Sequence, residues 1–274
     1  MNQPGRSLRW DAPGARWWWS HSDAASVHAW SESDNATLTC KLPDQAGLIA
    51  HTSSGRLLLG LPKRIAVADA PAHNRPGQAL KVRPLAPVDA AEPRTAISDG
   101  CTDRRGFLVF GTGNVSKDQR PIGSFYQYSG QHGLRRLALP AVVRASGICF
   151  SSDGERMFFS DAAGAAILCC DYDAERGSVA RIGIFAELES GAAARGAVVD
   201  LAGCLWSAQP GQIVQYDSNG KVLRRIAIDC SAPAFGGARL DQLMAAGPAG
   251  LLPLPGSHAG GHAEALFDDT HLAH

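Results

Sequence analysis

One glycine context recurs along this chain: a turn, a glycine, one or two residues, then a short apolar run. The glycines are Gly14 before Trp17-Trp18-Trp19, Gly55 before Leu57-Leu58-Leu59, and Gly106 before Phe107-Leu108-Val109-Phe110. Gly154 then precedes Met157-Phe158-Phe159, Gly203 precedes Cys204-Leu205-Trp206, and Gly237 precedes the run Leu240 to Met244. The gaps are 41, 51, 48, 49 and 34 residues. A unit of this length holds several short strands but cannot bury their apolar faces alone. Stacked radially, such units become the blades of a β-propeller. Six of them account for the 274 residues, and the expected fold is all-β, a single six-bladed β-propeller domain over residues 1–274.

The text between the glycines supports strands. After Phe159, Asp161-Ala162-Ala163-Gly164 reads as a turn, Ala165 to Tyr172 as a strand and Glu175-Arg176-Gly177 as a further turn. Gln212 to Tyr216 and Lys221 to Ile228 flank Asp217-Ser218-Asn219-Gly220, and Asn-Gly between alternating runs is a strong hairpin signal. Within Trp17-Trp18-Trp19 a strand puts Trp17 and Trp19 on one face and Trp18 on the other. That is propeller core with one ring exposed, or a stacking platform for a sugar or base. Cys169-Cys170 reads as a strand with one thiol on each face. The Ala-rich piece 186–198 and the Ala-Pro-rich piece 70–93 read as loop or strand-poor insertion. The tail 252–274 reads as a flexible segment or as closure of the last blade. A β-sandwich with evenly spaced turns is the competing architecture.

Composition narrows the function classes. Lys+Arg and Asp+Glu are both 26, so the chain has no net charge to carry it to nucleic acid or an anionic membrane. No apolar run is long enough to span a bilayer, and Met1 to Arg6 lacks a secretory pattern. Seven cysteines without a CxxC pair fit reduced thiols and a cytoplasmic setting.

The chain resembles the regucalcin/gluconolactonase/luciferin-regenerating-enzyme family of six-bladed propellers from about Arg6 to Ala246. Ser146 to Gly154 is similar to the family's S-N-G-L-A-W-S-x-D-G, and Gly196 to Trp206 to its P-D-G-x-x-V-D-x-x-G-x-L-W. Ser98-Asp99-Gly100 stands where N-D-G is written. Gly111-Thr112-Gly113, Gly123 to Tyr126, and Phe235-Gly236-Gly237 with Leu240 to Leu243 follow in the family's order. Trp19-Ser20-His21-Ser22 lies at its W-V-D-I. The resemblance implies hydrolysis of lactones at a central divalent metal, held by a Glu near the N-terminus, the Asn of S-N-G and the Asp of P-D-G. The Asn of N-D-G helps place the substrate. Such a hard cation polarises the lactone carbonyl and activates water.

Carried over residue by residue, those positions fall on Arg6, Ser146, Arg195 and Ser98. No one-residue slip restores them, because no Glu precedes Glu32 and no Asn lies between 115 and 218. Two carboxylates become two guanidiniums, so the formal charge there moves from −2 to +2. At an effective dielectric of ~20, one like-charged pair at 4 Å repels by roughly 4 kcal/mol. No metal cofactor is therefore expected at this place, although the family uses Ca, Zn or Mn.

Two readings stay open. Arg6, Arg195, Ser98 and Ser146 converge on a small anionic ligand, a sugar acid or lactone, with Arg195 and Arg6 as electrophiles and Asp99 as base. Alternatively the site has drifted, leaving the arginines to solvent or to local Asp partners, and the chain is a non-catalytic scaffold. A repurposed metal-free enzyme of specialised metabolism is the third possibility. His21, at a strand end of the first blade, is a further ligand-binding candidate. His258, His262 and Glu264 have metal-like spacing, but Gly260-Gly261 breaks the helix that would use it and favours a solvated tail. A replacement metal site would be sought among Asp99, Asp161 and His21. The expected partner is a small molecule, not nucleic acid or membrane.

Overall fold

In a computed structural model of the chain, the described residues are 5–21, 24–33, 35–71, 77–189, 192–248, 250–255, 257 and 259–272. Every regular element among them is a strand. The first blade holds β1 (Arg6–Asp11), β2 (Arg16–Ser20), β3 (Ser26–Ser31) and β4 (Ala36–Lys41). The second begins with β5 (Leu48–His51), β6 (Arg56–Leu61) and β7 (Arg64–Asp69). The chain then returns to the first blade, where β8 (Gln78–Ala79) pairs parallel with β4, before β9 (Val82–Pro87) completes the second. The third blade holds β10 (Thr95–Thr102), β11 (Leu108–Asn114), β12 (Phe125–Ser129) and β13 (Gly133–Arg136). The fourth holds β14 (Ala145–Phe150), β15 (Arg156–Asp161), β16 (Ala166–Asp173) and β17 (Ser178–Glu187). The fifth holds β18 (Ala197–Val199), β19 (Leu205–Gln209), β20 (Gln212–Tyr216) and β21 (Val222–Ala227). The sixth has three strands, β22 (Ser231–Gly236), β23 (Gln242–Gly247) and β24 (Gly250–Pro253). The ring closes where β22 packs on β1.

Each of the six recurring glycines sits in the turn between the first and second strand of its blade. Four of these turns close with a glycine amide donating three residues back, as from Gly106 to Asp103 O at 3.1 Å and from Gly203 to Asp200 O at 3.0 Å. Gly55, Gly106, Gly154, Gly203 and Gly237 all have φ between 76° and 82°, a conformation that only glycine takes without strain. The core lies between blades. Trp17 and Trp19 face the sixth blade beside Leu8 and Met244, while Trp18 faces the second beside Leu57 and Leu59. The two-face expectation is met, but none of the three rings is exposed: they retain 1%, 8% and 2% of their surface in the order 17, 19, 18. Cys170 and Cys169 likewise face different inter-blade clusters. The Ala-Pro-rich piece contains β9, an edge strand whose Pro84 and Pro87 are tolerated because one side of the strand has no ladder to donate to.

The segment 259–272 adds no strand to the sixth blade. It crosses one end of the propeller and touches all six blades. Gly261 N donates to Leu240 O at 2.7 Å, and Gly260 O accepts from Leu201 N at 2.8 Å. His262 bonds the Ser152 hydroxyl at 2.7 Å, and Glu264 pairs with Arg9 at 2.8 Å. Ala265 O accepts from Thr102 at 2.5 Å, and Phe267 N donates to His51 O at 2.9 Å. Phe267 is fully buried and stacks on Tyr128. Glu264 and His262 thus belong to a docked strap, not a solvated tail. His258 lies outside the described residues.

Candidate functional site at the two mouths of the channel

The inner strands β1, β5, β10, β14, β18 and β22 surround a central channel and run the same way along it. Their starts form one mouth, here the upper; their ends, with the glycine turns and the strap, form the lower.

Arg6, Ser98, Ser146 and Arg195 all lie at the upper mouth. A bulge interrupts the pairing of the inner strand at Arg6, Ser146 and Ser231. The residue after each is left-handed: Ser7 at φ 53°, Gly147 at 67° and Ala232 at 47°. Gly196, after Arg195, has φ 144°. Such bulges re-aim the preceding side chain out of the regular alternation, so Arg6, Ser146, Arg195 and Ser231 are equivalent positions in four blades. Ser231 was not among the residues singled out from the sequence, because Cys230-Ser231-Ala232-Pro233 matches none of the quoted motifs. The shared feature is the left-handed residue, which a serine-alanine pair does not announce.

These side chains bond the ring together. The Ser146 hydroxyl donates to Ala194 O at 2.8 Å, the Ser98 hydroxyl to Ala145 O at 2.8 Å, and the Ser231 hydroxyl to Gly5 O. Each crosses to the next blade. Ser7 does the same toward β5, accepting from Ile49 N at 2.8 Å and donating to Ile49 O at 3.2 Å. Arg195 pairs with Asp229 at 3.0 Å, both substantially exposed. Arg6 is half-buried, and its carbonyl accepts from Ser20. Two guanidiniums, which have no lone pair to give, and two neutral hydroxyls do not fit a hard divalent cation, which needs several converging oxygens with carboxylates among them.

Asp99 is deeper. Its carboxylate accepts from Gly100 N at 2.8 Å and from Ile148 N at 3.1 Å, tying β10 to β14. Burial pushes its pKa up, against the pull of those amides and of Arg9. It is a clamp between blades, and its oxygens are committed. Asp161 spends both oxygens on the amides of Val143, Arg144 and Ala163. His21 follows β2, its ring 6.0 Å from that of His28, which stacks on Trp19. Among the described residues no three His, Cys, Asp or Glu side chains cluster as a metal site.

The lower mouth holds a cavity of about 1450 Å³, bounded by the ends of the inner strands, the glycine turns and the strap. None of Arg6, His21, Ser98, Asp99, Ser146 or Arg195 lines it. Arg9 crosses its inner wall, donating to Leu8 O at 2.8 Å and Gly100 O at 2.6 Å, besides its pairing with Glu264. Cys101 and Cys149 face the same space, and burial pushes the Cys101 thiol up to about 12, which removes it as a nucleophile. Sequence motifs missed this mouth because its polar residues come from strand ends and from the strap, far apart in the chain.

The architecture defines a six-bladed β-propeller of the kind seen in a luciferin-regenerating enzyme, which superposes with a TM-score of 0.89 over 97% of this chain and 95% of that one at 18% identity. The calcium-binding protein regucalcin from Agrobacterium tumefaciens superposes at 0.84 over 97% and 94%, with 21% identity. The SMP-30/Gluconolactonase/LRE-like region matches residues 4–246, and this chain belongs to that family. Its relatives include an L-arabinolactonase of Azospirillum brasilense, 31% identical over 97% of this chain and 82% of that protein. A 6-deoxy-6-sulfogluconolactonase of Pseudomonas putida is 28% identical over 82% of this chain and 77% of its own length. No helix of the described residues is long and apolar enough to cross a membrane.

Proposed function

We propose that this protein binds a sugar lactone or its acid at the upper mouth and opens the lactone without a divalent cation. The observation that carries the reading is the Arg195–Asp229 pair, 3.0 Å apart at a bulge position. The guanidinium supplies an electrophile for the carbonyl oxygen, and Asp229 supplies a carboxylate to take a proton from the attacking water. Water adds to the carbonyl carbon, the ring C–O bond breaks, and the proton ends on the released hydroxyl. Asp99 is replaced in the role of base because its oxygens already serve two amides. The lactonase relatives support the substrate class.

The test is lactone hydrolysis by the purified protein, with L-arabinono- and D-glucono-lactones, before and after chelation. Turnover indifferent to chelator and lost in Arg195→Ala and Asp229→Asn is the expected outcome. Turnover that appears only with added Ca²⁺, Zn²⁺ or Mn²⁺ overturns the reading. A second reading, a non-catalytic sugar-acid binder, is favoured by the commitment of the Ser98 and Ser146 hydroxyls to neighbouring blades. It is recognised by a melting-temperature rise with sugar acids that Arg195→Ala abolishes, without turnover.

A further inference from the structure

We propose that the outer edge of the sixth blade binds an extended peptide, which adds the fourth strand that this blade lacks and brings a cationic side chain to Glu32; the site is independent of the reading above. Among the described residues the first five blades have four strands or more, and the sixth stops at β24. The space that a fourth strand would fill is open. A groove of about 800 Å³ lies between the first and sixth blades, within the ~300–1,000 Å³ usual for ligand sites.

The backbone of β24 is placed to pair. Leu254 N donates to Leu243 O at 2.9 Å, and the alternation of an antiparallel ladder therefore turns Leu252 and Gly250 toward β23, and Leu251 and Pro253 away from it. Pro253 has no N–H to offer. The free edge thus presents Leu251 N–H, Leu251 O and Pro253 O, and one guest residue opposite Leu251 can exchange both of its backbone bonds. Main-chain bonds of this kind hold an extended peptide, and the pockets beside the edge select its side chains.

The groove supplies that selection. Trp30 and Thr37 are paired residues on β3 and β4, the third and fourth strands of the first blade. A fourth strand of the sixth blade would stand against them; without one, Trp30 is only half-buried and Thr37 is exposed. Leu251 and Met244 form the facing apolar wall. Strand β24 runs from the upper end to the lower, so an antiparallel guest starts at the lower end, where Glu32 and Asp241 line the groove. Asp241 is paired with Arg239, whereas Glu32 has no ion pair among the described residues. The complementary guest has large apolar side chains at alternate positions and a Lys or Arg at its N-terminal end.

The test is titration of the full chain with two blocked pentapeptides, acetyl-Lys-Thr-Val-Thr-Val-amide and its Glu-first counterpart, read by calorimetry and by the backbone amide resonance of Leu251. The Lys peptide should bind saturably, shift that resonance and bind at least tenfold more tightly than the Glu peptide. Glu32→Gln should shrink that preference severalfold. Leu251→Pro, which deletes an outward N–H and no bond to β23, should weaken the Lys peptide at least tenfold. An unmoved Leu251 resonance with both peptides overturns the proposal. So does binding indifferent to Leu251→Pro, or equal affinity for the two peptides. A dimer in sedimentation that Leu251→Pro abolishes also overturns it, because the edge then belongs to a second copy of the chain. Should Leu251→Pro fail to fold, the wild-type resonance and Glu32→Gln decide.

Discussion

The two mouths are built from the opposite ends of the same six strands, yet they use polar side chains in opposite ways. At the upper mouth, Ser7, Ser98, Ser146 and Ser231 are spent on the backbone of the next blade, and the ring is drawn together. At the lower mouth the strand ends diverge into glycine turns, and the span is bridged by a strap that leaves a large cavity under it. The lesson is that motif positions and binding space need not coincide. Of the positions where the resemblance places metal ligands, Ser146 now serves cohesion and Arg195 holds an exposed ion pair, while the larger space lies at the other end.

The sharpest way to break the contrast is to undock the strap. Phe267→Ala removes a fully buried ring stacked on Tyr128 and should cost about 3–5 kcal/mol of strap docking, or of global stability if strap and propeller unfold together. Limited proteolysis from the C-terminus combined with urea unfolding distinguishes the two. Early cleavage with an unchanged urea midpoint means that the strap is a separable lid.

The glycine turns offer a smaller, paired test. Gly106 and Gly203 have nearly the same φ, 82° and 79°. A Cβ at Gly203 meets nothing within 4 Å, whereas at Gly106 it would stand 2.3 Å from Leu266 O in the strap. Gly203→Ala should therefore cost only the left-handed strain, about 1–2 kcal/mol. Gly106→Ala should cost more, and the excess should vanish in a chain truncated before the strap. Equal losses in both variants would mean that the strap does not press on the turn.

The strap also carries a pH dependence. Burial alone would push the Asp269 carboxyl up, but hydrogen bonds from Ser54, Ser53 and Thr52 outweigh it and hold the pKa below the ordinary carboxylate value. A lowered carboxyl stabilises the fold above its unfolded pKa, and that contribution is lost as pH falls through the folded one. C-terminal proteolysis should accelerate in acid, and Asp269→Asn should flatten that profile. Asp99 has the reverse sign: its raised pKa favours the fold at acid pH, and the benefit fades as pH rises through the raised value. Proteolysis that is flat with pH in the wild type would remove Asp269 as the latch.

How much of this was legible in the sequence depended on whether the signal was local. Five of the six glycines marked their turns because positive φ is a demand of the backbone at one residue; in the first turn that conformation falls on Ala15, next to Gly14. The paired faces of Trp17 to Trp19 followed from strand alternation. Strand β9 was hidden because Pro84 and Pro87 read as breakers, and only its edge position makes them harmless. The strap was hidden because its contacts, such as Glu264 with Arg9 and Asp269 with Ser54, join residues more than 200 apart, which no window on the sequence displays. At the upper mouth, the residues present at Arg6, Ser146 and Arg195 were readable from the resemblance. What they bond to was not, because Ala194 O comes beside Ser146, and Asp229 beside Arg195, only when consecutive blades pack, 48 and 34 residues apart in the chain.

The smallest expected effect lies at the upper mouth and tests its side of the contrast. Arg195 and Asp229 retain 39% and 59% of their side-chain surface, so solvent screens the pair. Its contribution to stability should lie within about 1 kcal/mol, as for exposed ion pairs generally. Arg195→Ala and Asp229→Asn should each leave the urea midpoint almost unmoved. Ser146→Ala deletes a blade-to-blade hydrogen bond and should cost more, about 0.5–1.5 kcal/mol. If the order is reversed, with the arginine variant the more damaging, then Arg195 is holding blades together and cannot at the same time be the group released to a ligand. If it holds, the upper mouth separates into a structural ring of serines and a dispensable charged pair, and only the second is available for chemistry.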